Sequence, residues 1–426
     1  MNDKYFHDSP FAAKGFYNFE TSAQLPRHRW YYFKEGFSPS LVKEAISSVA
    51  GSKNRELNIL DPFCGCGTTP LTSSQLRHHC IGIEVNPFLA FISKVKATPR
   101  RWRRSVYASI LLKIIHLSSI ERSSPLESFS TFSEREGLDK WLFNREVLRK
   151  FTSIMYAIEK ISPAHKNAFV LAAVVAAFDC SNVKRDGKAL RYKKDWKQRR
   201  YSGSDVINKF KQHALMIIDD VEKFPIKNIN KPLIINADSR KALSWFEDNS
   251  IDMVITSPPY LNSFDYSDIY RPELFLCNYV NDNRELATIR LRTIRSHVQV
   301  AWPKETSIEC HLLTPFLQKL NECDILWDSR IPLMVKAYFD DLNQVIRGIA
   351  QKLRRRGQAW IVVSTSAYGG VHIPVDLILA ELANDAGLTL EGIHRLRDLR
   401  TSGQQFRQLK TKRPPLRESL IIVTKN

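Results

Sequence analysis

The chain has no Cys-x-x-Cys pair. Its seven cysteines, Cys64, Cys66, Cys80, Cys180, Cys277, Cys310 and Cys323, are odd in number and scattered. That excludes a zinc ribbon, a redox dithiol and a regular disulfide framework, and it fits a reducing, cytoplasmic compartment. Long apolar runs are also missing. The longest, "AFVLAAVVAAF" over 168–178, falls short of the roughly 20 residues that span a bilayer and reads as a buried helix. "MNDKYFHDSPF" carries no basic-then-apolar leader pattern, so a soluble protein is expected. His297, His311 and His372 stand alone, and no metal-ligand constellation is expected. Acidic residues are in deficit, 44 against 63 basic, for a net charge of +19. Such an excess favours a polyanionic partner, nucleic acid before an anionic membrane.

What is present has the texture of a parallel α/β protein. "ELNILD" (56–61) runs into the glycine turn "PFCGCGTTP", a short helix follows, and "IGIEVNP" reads as a second strand. From 97 to 230 the pattern turns helical, and it includes a basic stretch, "NVKRDGKALRYKKDWKQRRY". Strands return with "PLIINAD" (232–238) and "IDMVITS" (251–257). The stretch 261–335 shows scattered helix and no clear strand. A helix within "YFDDLNQVIRGIAQKLRRRG" is expected to stop at Gly357, with Arg354, Arg355 and Arg356 at its carboxyl end. "QAWIVVSTS", a further helix and a terminal hairpin complete a doubly wound sheet of about seven strands. The organisation expected is residues 1–96 as the first half of the core, 97–230 as a helical insertion with a basic arm, and 231–426 as the second half, interrupted by 261–335.

Open α/β sheets bind ligands at the carboxyl ends of their strands, where the strand order reverses. Gly65 and Gly67 stand at one such end, with Asp61 ahead of them. Glu84, at the tip of the next strand, can take both hydroxyls of a ribose. A dinucleotide fingerprint needs a small residue at position 70, which here is proline. That favours a cofactor with a nucleoside and no diphosphate, such as S-adenosylmethionine. A turn that serves chain reversal alone is the bland alternative.

The strand "IDMVITS" ends on Ser257-Pro258-Pro259-Tyr260. Proline lacks an N–H and fixes its own φ, and it pushes the preceding residue into an extended conformation. Two in succession therefore hold carbonyl oxygens stiffly outward. The exocyclic amine of a nucleobase is a poor nucleophile because its lone pair is delocalised into the ring. The Ser257 hydroxyl and the Pro258 carbonyl can accept its N–H groups and receive the charge that develops, and Tyr260 can stack on the base.

"DPFCGCGTT", "GIEVNP" and "TSPPY" resemble the cofactor, ribose and catalytic motifs of the amino-group DNA methyltransferases, the cytosine-N4 and adenine-N6 enzymes. The resemblance covers roughly 30–96 and 231–426. It implies a Rossmann-like methyltransferase sheet with a helical insertion and a second, irregular insertion, and it implies S-adenosylmethionine as cofactor. Cofactor contacts fall on Asp61, Pro62, Phe63, Gly65, Gly67, Thr68 and Thr69, and on Glu84, Val85, Asn86 and Ser257. "FKEGFSPSLVKEAI" is similar to the segment that closes over the methionine end, which adds Phe37 and Ser38. "NADSR" is similar to the adenine-contacting strand end, which adds Asp238 and Ser239. Similar sequences carry an Asp-Tyr pair after the tetrapeptide, so Asp265 becomes a base-edge or proton-handling candidate, against the alternative of a turn-forming aspartate.

Serine at position 257 is commoner among the cytosine-N4 enzymes, although a hydroxyl and a carboxylate can both accept an N–H. Many relatives place the catalytic motif before the glycine turn, whereas here it follows almost 190 residues later. Carbon-5 methylation needs a thiolate after proline in the enzymes that perform it, and no Pro-Cys dipeptide occurs. The tRNA guanine-N2 enzymes share the glycine turn but carry Asp and Gly where this chain has Ser257 and Leu261. A non-catalytic DNA-binding subunit would show decayed motifs.

A base inside a duplex must be flipped to reach such an edge. The phosphate-contacting candidates are Lys184, Arg185, Lys188, Arg191, Lys193, Lys194, Lys197, Arg199 and Arg200, with Tyr192 and Trp196 between them. The alternative is a solvated charge run. Duplex DNA is the partner expected, with a cognate restriction endonuclease as a possible companion.

Overall fold

The computed structural model describes residues 6–7, 20–33, 36–51, 55–186, 189–227, 231–299, 306–399 and 416–426. Seven strands form the central sheet: β1 (Asn58–Asp61), β2 (His79–Ile83), β3 (Leu233–Ile235), β4 (Ile251–Thr256), β5 (Leu353–Ser364), β6 (Leu388–Leu399) and β7 (Leu416–Lys425). Their spatial order is 6-7-5-4-1-2-3. β3, β2, β1, β4 and β5 pair in parallel, and β7 lies antiparallel between β5 and β6. The terminal hairpin expected from the sequence is β6–β7. A two-residue strand, Phe6–His7, joins the outer edge of β6; nothing in the sequence pattern marks it.

Every residue of β4 is buried, as a parallel strand covered on both faces requires. Alternate residues serve opposite sides. Ile59, Met253 and Ile255 pack with helix α1 (Pro39–Ala50), while Leu60 and Val254 join the apolar cluster on the other face. The short α2 (Thr68–Gln75) and α3 (Pro87–Ala97) follow β1 and β2.

The helical insertion comprises α4 (Arg104–Leu117), α5 (Arg145–Glu159), α6 (Pro163–Asp179) and α7 (Gly203–Lys223). Its core is continuous with the buried face of α3. The apolar run 168–178 lies within α6, buried as expected. Among the described residues of 261–335 there are short helices, including α8 (Asn283–Leu291), and no strand. Beyond them lie α9 (Ile331–Lys352) and α10 (Val375–Asp385). Among the described residues no helix is long and apolar enough to cross a membrane.

One expectation is corrected. The helix expected to end at Gly357 ends at Lys352, and β5 begins directly at Leu353. Leu353 pairs with Ile251 and Gln358 with Met253, so Arg354–Gly357 form a bulge opposite Asp252. The arginines therefore cap no helix, and Arg354 instead pairs with Asp252 at 3.1 Å. Glycine is needed at 357 for close approach: a Cβ there would sit 2.9 Å from the Arg354 carbonyl and 3.1 Å from that of Asp252.

Candidate active site

The strand order reverses between β1 and β4, and a cavity of about 320 Å³ opens at their carboxyl ends. One rim is the glycine turn. Gly65 has a positive φ of +49°, and its N–H donates to Glu84 Oε2 at 3.0 Å. The N–H of Asn86 donates to Glu84 Oε1 at 2.8 Å. Both carboxylate oxygens are thus oriented from behind, and each keeps acceptor capacity for a hydroxyl. Burial pushes the Glu84 carboxyl up to about 7 against the pull of those two N–H groups. Asn86 caps α3 by accepting from the N–H groups of Phe88 and Leu89.

The sequence candidates divide by position. Phe37, Phe63, Gly65, Thr68, Glu84, Val85, Asn86, Asp238, Ser239 and Ser257 line the cavity. Ser38, Asp61, Pro62, Gly67 and Thr69 do not. Ser38 caps α1, accepting from the Ser40 N–H. Gly67 serves helix packing: at φ +91° its absent Cβ would lie 2.8 Å from the Cα of Ser93 on α3. The Pro62 carbonyl accepts from the Ser239 hydroxyl. Asp61, fully buried, accepts from the Thr256 hydroxyl at 2.6 Å and the Phe63 N–H at 3.1 Å. Burial raises its carboxyl to about 6, with those bonds opposing. Asp61 therefore ties the end of β1 to the end of β4. Asp238 faces the cavity while gripping Arg240, whose other amino group reaches Asp341.

The opposite rim is Ser257, Pro258, Pro259 and Tyr260, all lining the same cavity. Residues remote in sequence hold it. Tyr338 on α9 donates its hydroxyl to the Pro259 carbonyl at 2.9 Å. Ser366 and Tyr368 both donate to the carbonyl of Leu261. Among the described residues no hydrogen bond ends on the Pro258 carbonyl, which keeps its acceptor capacity. Tyr260 donates its hydroxyl to Glu418 Oε1 at 2.8 Å, and Arg397 pairs with Glu418 Oε2 at 2.8 Å.

Glu418, Arg397 and Tyr338 are absent from the candidates drawn from sequence. A signal existed: Glu418 stands near the start of the one antiparallel strand, and antiparallel entry brings that start to the edge where the parallel strands end. Glu418 pairs in register with Ser364, the last residue of β5.

Asp265 lies behind this rim and outside the cavity lining. It caps the short helix Tyr266–Ile269, accepting from the Ser267 N–H at 2.9 Å, and it pairs with Arg290 at 2.6 Å. The turn-forming reading describes its contacts. The α8 end and the residues after it, including Thr293 and His297, close the cavity from the second insertion.

The basic stretch is an antiparallel hairpin, Val183–Asp186 with Ala189–Tyr192, followed by a turn. Its second strand packs against Tyr266–Ile269 beside the cavity. One phosphate candidate is corrected: Arg185 points inward. Its guanidinium pairs with the fully buried Glu273 and stacks near Phe178, Tyr270 and Tyr31 at 4.1, 4.7 and 5.6 Å. Lys193 donates to the Asp179 carbonyl at 2.7 Å. Tyr192, Trp196 and Trp141 pack together, with centroids 4.8 and 4.9 Å apart. Lys184, Arg191, Lys194, Lys197, Arg199 and Arg200 remain exposed, with Arg200 paired to Glu134 and Arg191 near Asp186. Lys188 lies outside the described residues.

A 6-7-5-4-1-2-3 sheet of mostly parallel strands, covered by helices and carrying a cavity at its switch point, is a Rossmann-like methyltransferase fold. No family model matches the chain. It is 28% identical over 410 residues to the type II methyltransferase M.AvaI of a Nostoc species, covering 88% of this chain and 82% of that protein. It is 25% identical over 453 residues to the type II methyltransferase M.BsoBI of Geobacillus stearothermophilus, covering 93% and 85%. A solved rRNA methyltransferase, aviRa from Streptomyces viridochromogenes, aligns at 9% identity over 94% of this chain and 85% of that one, with a TM-score of 0.28. Over most of its length the chain is thus similar to curated type II methyltransferases.

Proposed function

We propose that the protein is a site-specific DNA methyltransferase that moves the methyl group of S-adenosylmethionine to an exocyclic amine of a flipped base, cytosine N4 in preference to adenine N6. The observation that carries this is one cavity with Gly65 and Glu84 on one rim and Ser257–Tyr260 on the other.

The residues fit the cofactor. Glu84 offers two oriented acceptor oxygens for a pair of ribose hydroxyls, Phe63 and Leu89 offer apolar wall for a ring, and the volume lies in the usual range of about 300–1,000 Å³ for small-molecule sites. Bound there, the cofactor supplies an electrophilic methyl group. The chain's own part is to place the amine. Ser257 Oγ and the Pro258 carbonyl accept its N–H groups and receive the positive charge that grows on nitrogen. Tyr338 stiffens the Pro-Pro segment, and the Asp61–Thr256 bond keeps the two rims in register. Tyr260 offers a stacking face worth roughly 1–3 kcal/mol per base. The hairpin packs beside the cavity, and its exposed cations support contact with phosphates flanking a flipped base. The neutral acceptor Ser257 supports cytosine N4, and the type II relatives support a role beside a restriction endonuclease.

The test is transfer of tritiated methyl to duplex DNA, single-stranded DNA and tRNA, followed by nucleoside mass spectrometry. N4-methylcytosine from duplex DNA is the expected product. N6-methyladenine would correct the base, and methylation of tRNA alone would overturn the reading.

A further inference from the structure

Methylation leaves a proton problem that the amine-facing residues do not solve. The nitrogen lone pair forms the N–C bond while the C–S bonding pair stays on sulfur, so the positive charge passes to a nitrogen that still carries two hydrogens. One must leave, returning its bonding pair to nitrogen. A carboxylate at position 257 would take it directly. This chain has Ser257, a neutral hydroxyl that can accept a proton only by passing its own onward.

The structure supplies the onward path. Ser257 Oγ donates to Tyr260 Oη at 3.5 Å, and Tyr260 Oη donates to Glu418 Oε1 at 2.8 Å. Both donors point the same way, from the amine edge toward the carboxylate. Glu418 is 5% exposed and lines the cavity with Ser257, Tyr260 and Arg397. Arg397 reaches both Glu418 oxygens, at 2.8 and 3.3 Å, and fixes the carboxylate's orientation behind Tyr260.

Resting on the amine-methyltransferase reading above, we propose that Glu418 is the terminal proton acceptor of the reaction, reached from Ser257 through the hydroxyl of Tyr260. In one concerted shift the amine proton moves to Ser257 Oγ, the serine proton to Tyr260 Oη, and the tyrosine proton to Glu418 Oε1. Serine and tyrosine end as they began, and Glu418 ends neutral until it releases its proton to water. Burial holds the Tyr260 phenol well above its usual range, so it relays a proton rather than ionising. The 3.5 Å step is long, as catalytic hydrogen bonds often are before substrate closes the site. Glu418 acts as a positioning and proton-accepting residue behind Tyr260. The antiparallel β7 thus returns to the site the carboxylate that position 257 lacks.

The test uses full-length protein with Glu418→Gln, Tyr260→Phe, both together, and Ser257→Asp added to Glu418→Gln. Single-turnover rates are measured at saturating cofactor and duplex DNA, and cofactor binding by calorimetry. Each single change is expected to slow methyl transfer by about 10²-fold, the lower end for a lost general base, with cofactor affinity held within about threefold. The double variant should be no slower than the slower single, as members of one unit behave. Glu418→Gln should lose the acid limb of the pH–rate profile, and the added Ser257→Asp should recover at least about tenfold. A Glu418→Gln protein with the wild-type rate and profile overturns the relay while leaving the methyltransferase reading intact. Wild-type protein that methylates no base amine sinks that reading first. Should Glu418→Gln not fold, Tyr260→Phe decides: it keeps the ring and removes the relay, and a near-wild-type rate contradicts the proposal.

Discussion

The two rims of the cavity are built on different length scales. At the glycine turn, Glu84 is held by the N–H groups of Gly65 and Asn86, and Asn86 by α3 next door. Those partners lie within a single strand-turn-helix-strand unit and the helix after it, and long-range bonds from Ser239 and Thr256 reach only the start of the turn, at Pro62 and Asp61. At the amine edge, Pro259 is held by Tyr338, Leu261 by Ser366 and Tyr368, and Tyr260 by Glu418. Those partners stand 79, 105, 107 and 158 residues away. The first rim is a local device that backbone geometry assembles. The second exists only once β5, α9 and the terminal hairpin have docked. A cofactor site is therefore expected to tolerate changes in those later elements, and turnover is not.

The sharpest way to break this contrast is Ser257→Ala. On the proposed reading it removes an acceptor for the developing charge, so turnover should fall about 10²- to 10³-fold with cofactor affinity nearly unchanged. Loss of cofactor binding with normal turnover at saturation would reverse the assignment of rims. Glu84→Gln should do the opposite. Losing charge-assisted bonds worth about 1.5–3 kcal/mol weakens cofactor binding roughly 10- to 100-fold while saturated turnover persists.

The same carboxylate sets a pH dependence. Glu84 is raised to about 7 by burial, so it takes up a proton as pH falls through 7 and one acceptor oxygen becomes a donor. Cofactor affinity should drop about tenfold between pH 8 and pH 6, as one linked proton dictates, and Glu84→Gln should flatten that slope in calorimetry. The sign for stability is opposite. Its folded-state value lies above the ordinary 4.5, so its contribution to the fold is greatest below that value and is lost as pH rises through about 7.

Smaller effects sharpen the long-range rim. Tyr338→Phe frees the Pro259 carbonyl from one hydrogen bond, a loss of about 0.5–1.5 kcal/mol. It should slow turnover several-fold and leave cofactor affinity alone; equal loss in both would mean the rims are not separable. On the hairpin, replacing Lys184, Arg191, Lys194 and Lys197 together should flatten the salt dependence of DNA binding, by up to about 0.9 in slope for each phosphate no longer neutralised. Arg185→Ala should lower the melting temperature instead, because it strands the buried Glu273. An unchanged salt slope in the first variant would make the hairpin surface only.

The same length scales govern what can be read in the sequence. The seven strands, the apolar α6 and the glycine turn with Glu84 are legible because period and turn chemistry are local. So is Ser257–Tyr260, since two prolines cannot extend a buried strand and instead stiffen its end. The arginines at 354–356 mislead because cations near a helix end are common, and only the register of β5 against Ile251 and Met253 reveals a bulge. Arg185 misleads because its run looks uniformly solvated, and its aromatic surroundings come from Tyr31, Phe178 and Tyr270. Glu418 escapes a sequence reading because its partner lies 158 residues away and only the sheet order joins them.

The most direct measurement is a crystal structure of the protein with S-adenosylhomocysteine. The ribose hydroxyls should rest on Glu84, with the sulfur facing the gap between Ser257 Oγ and the Pro258 carbonyl. A nucleoside bound elsewhere, or a sulfur turned away from that edge, would contradict the account.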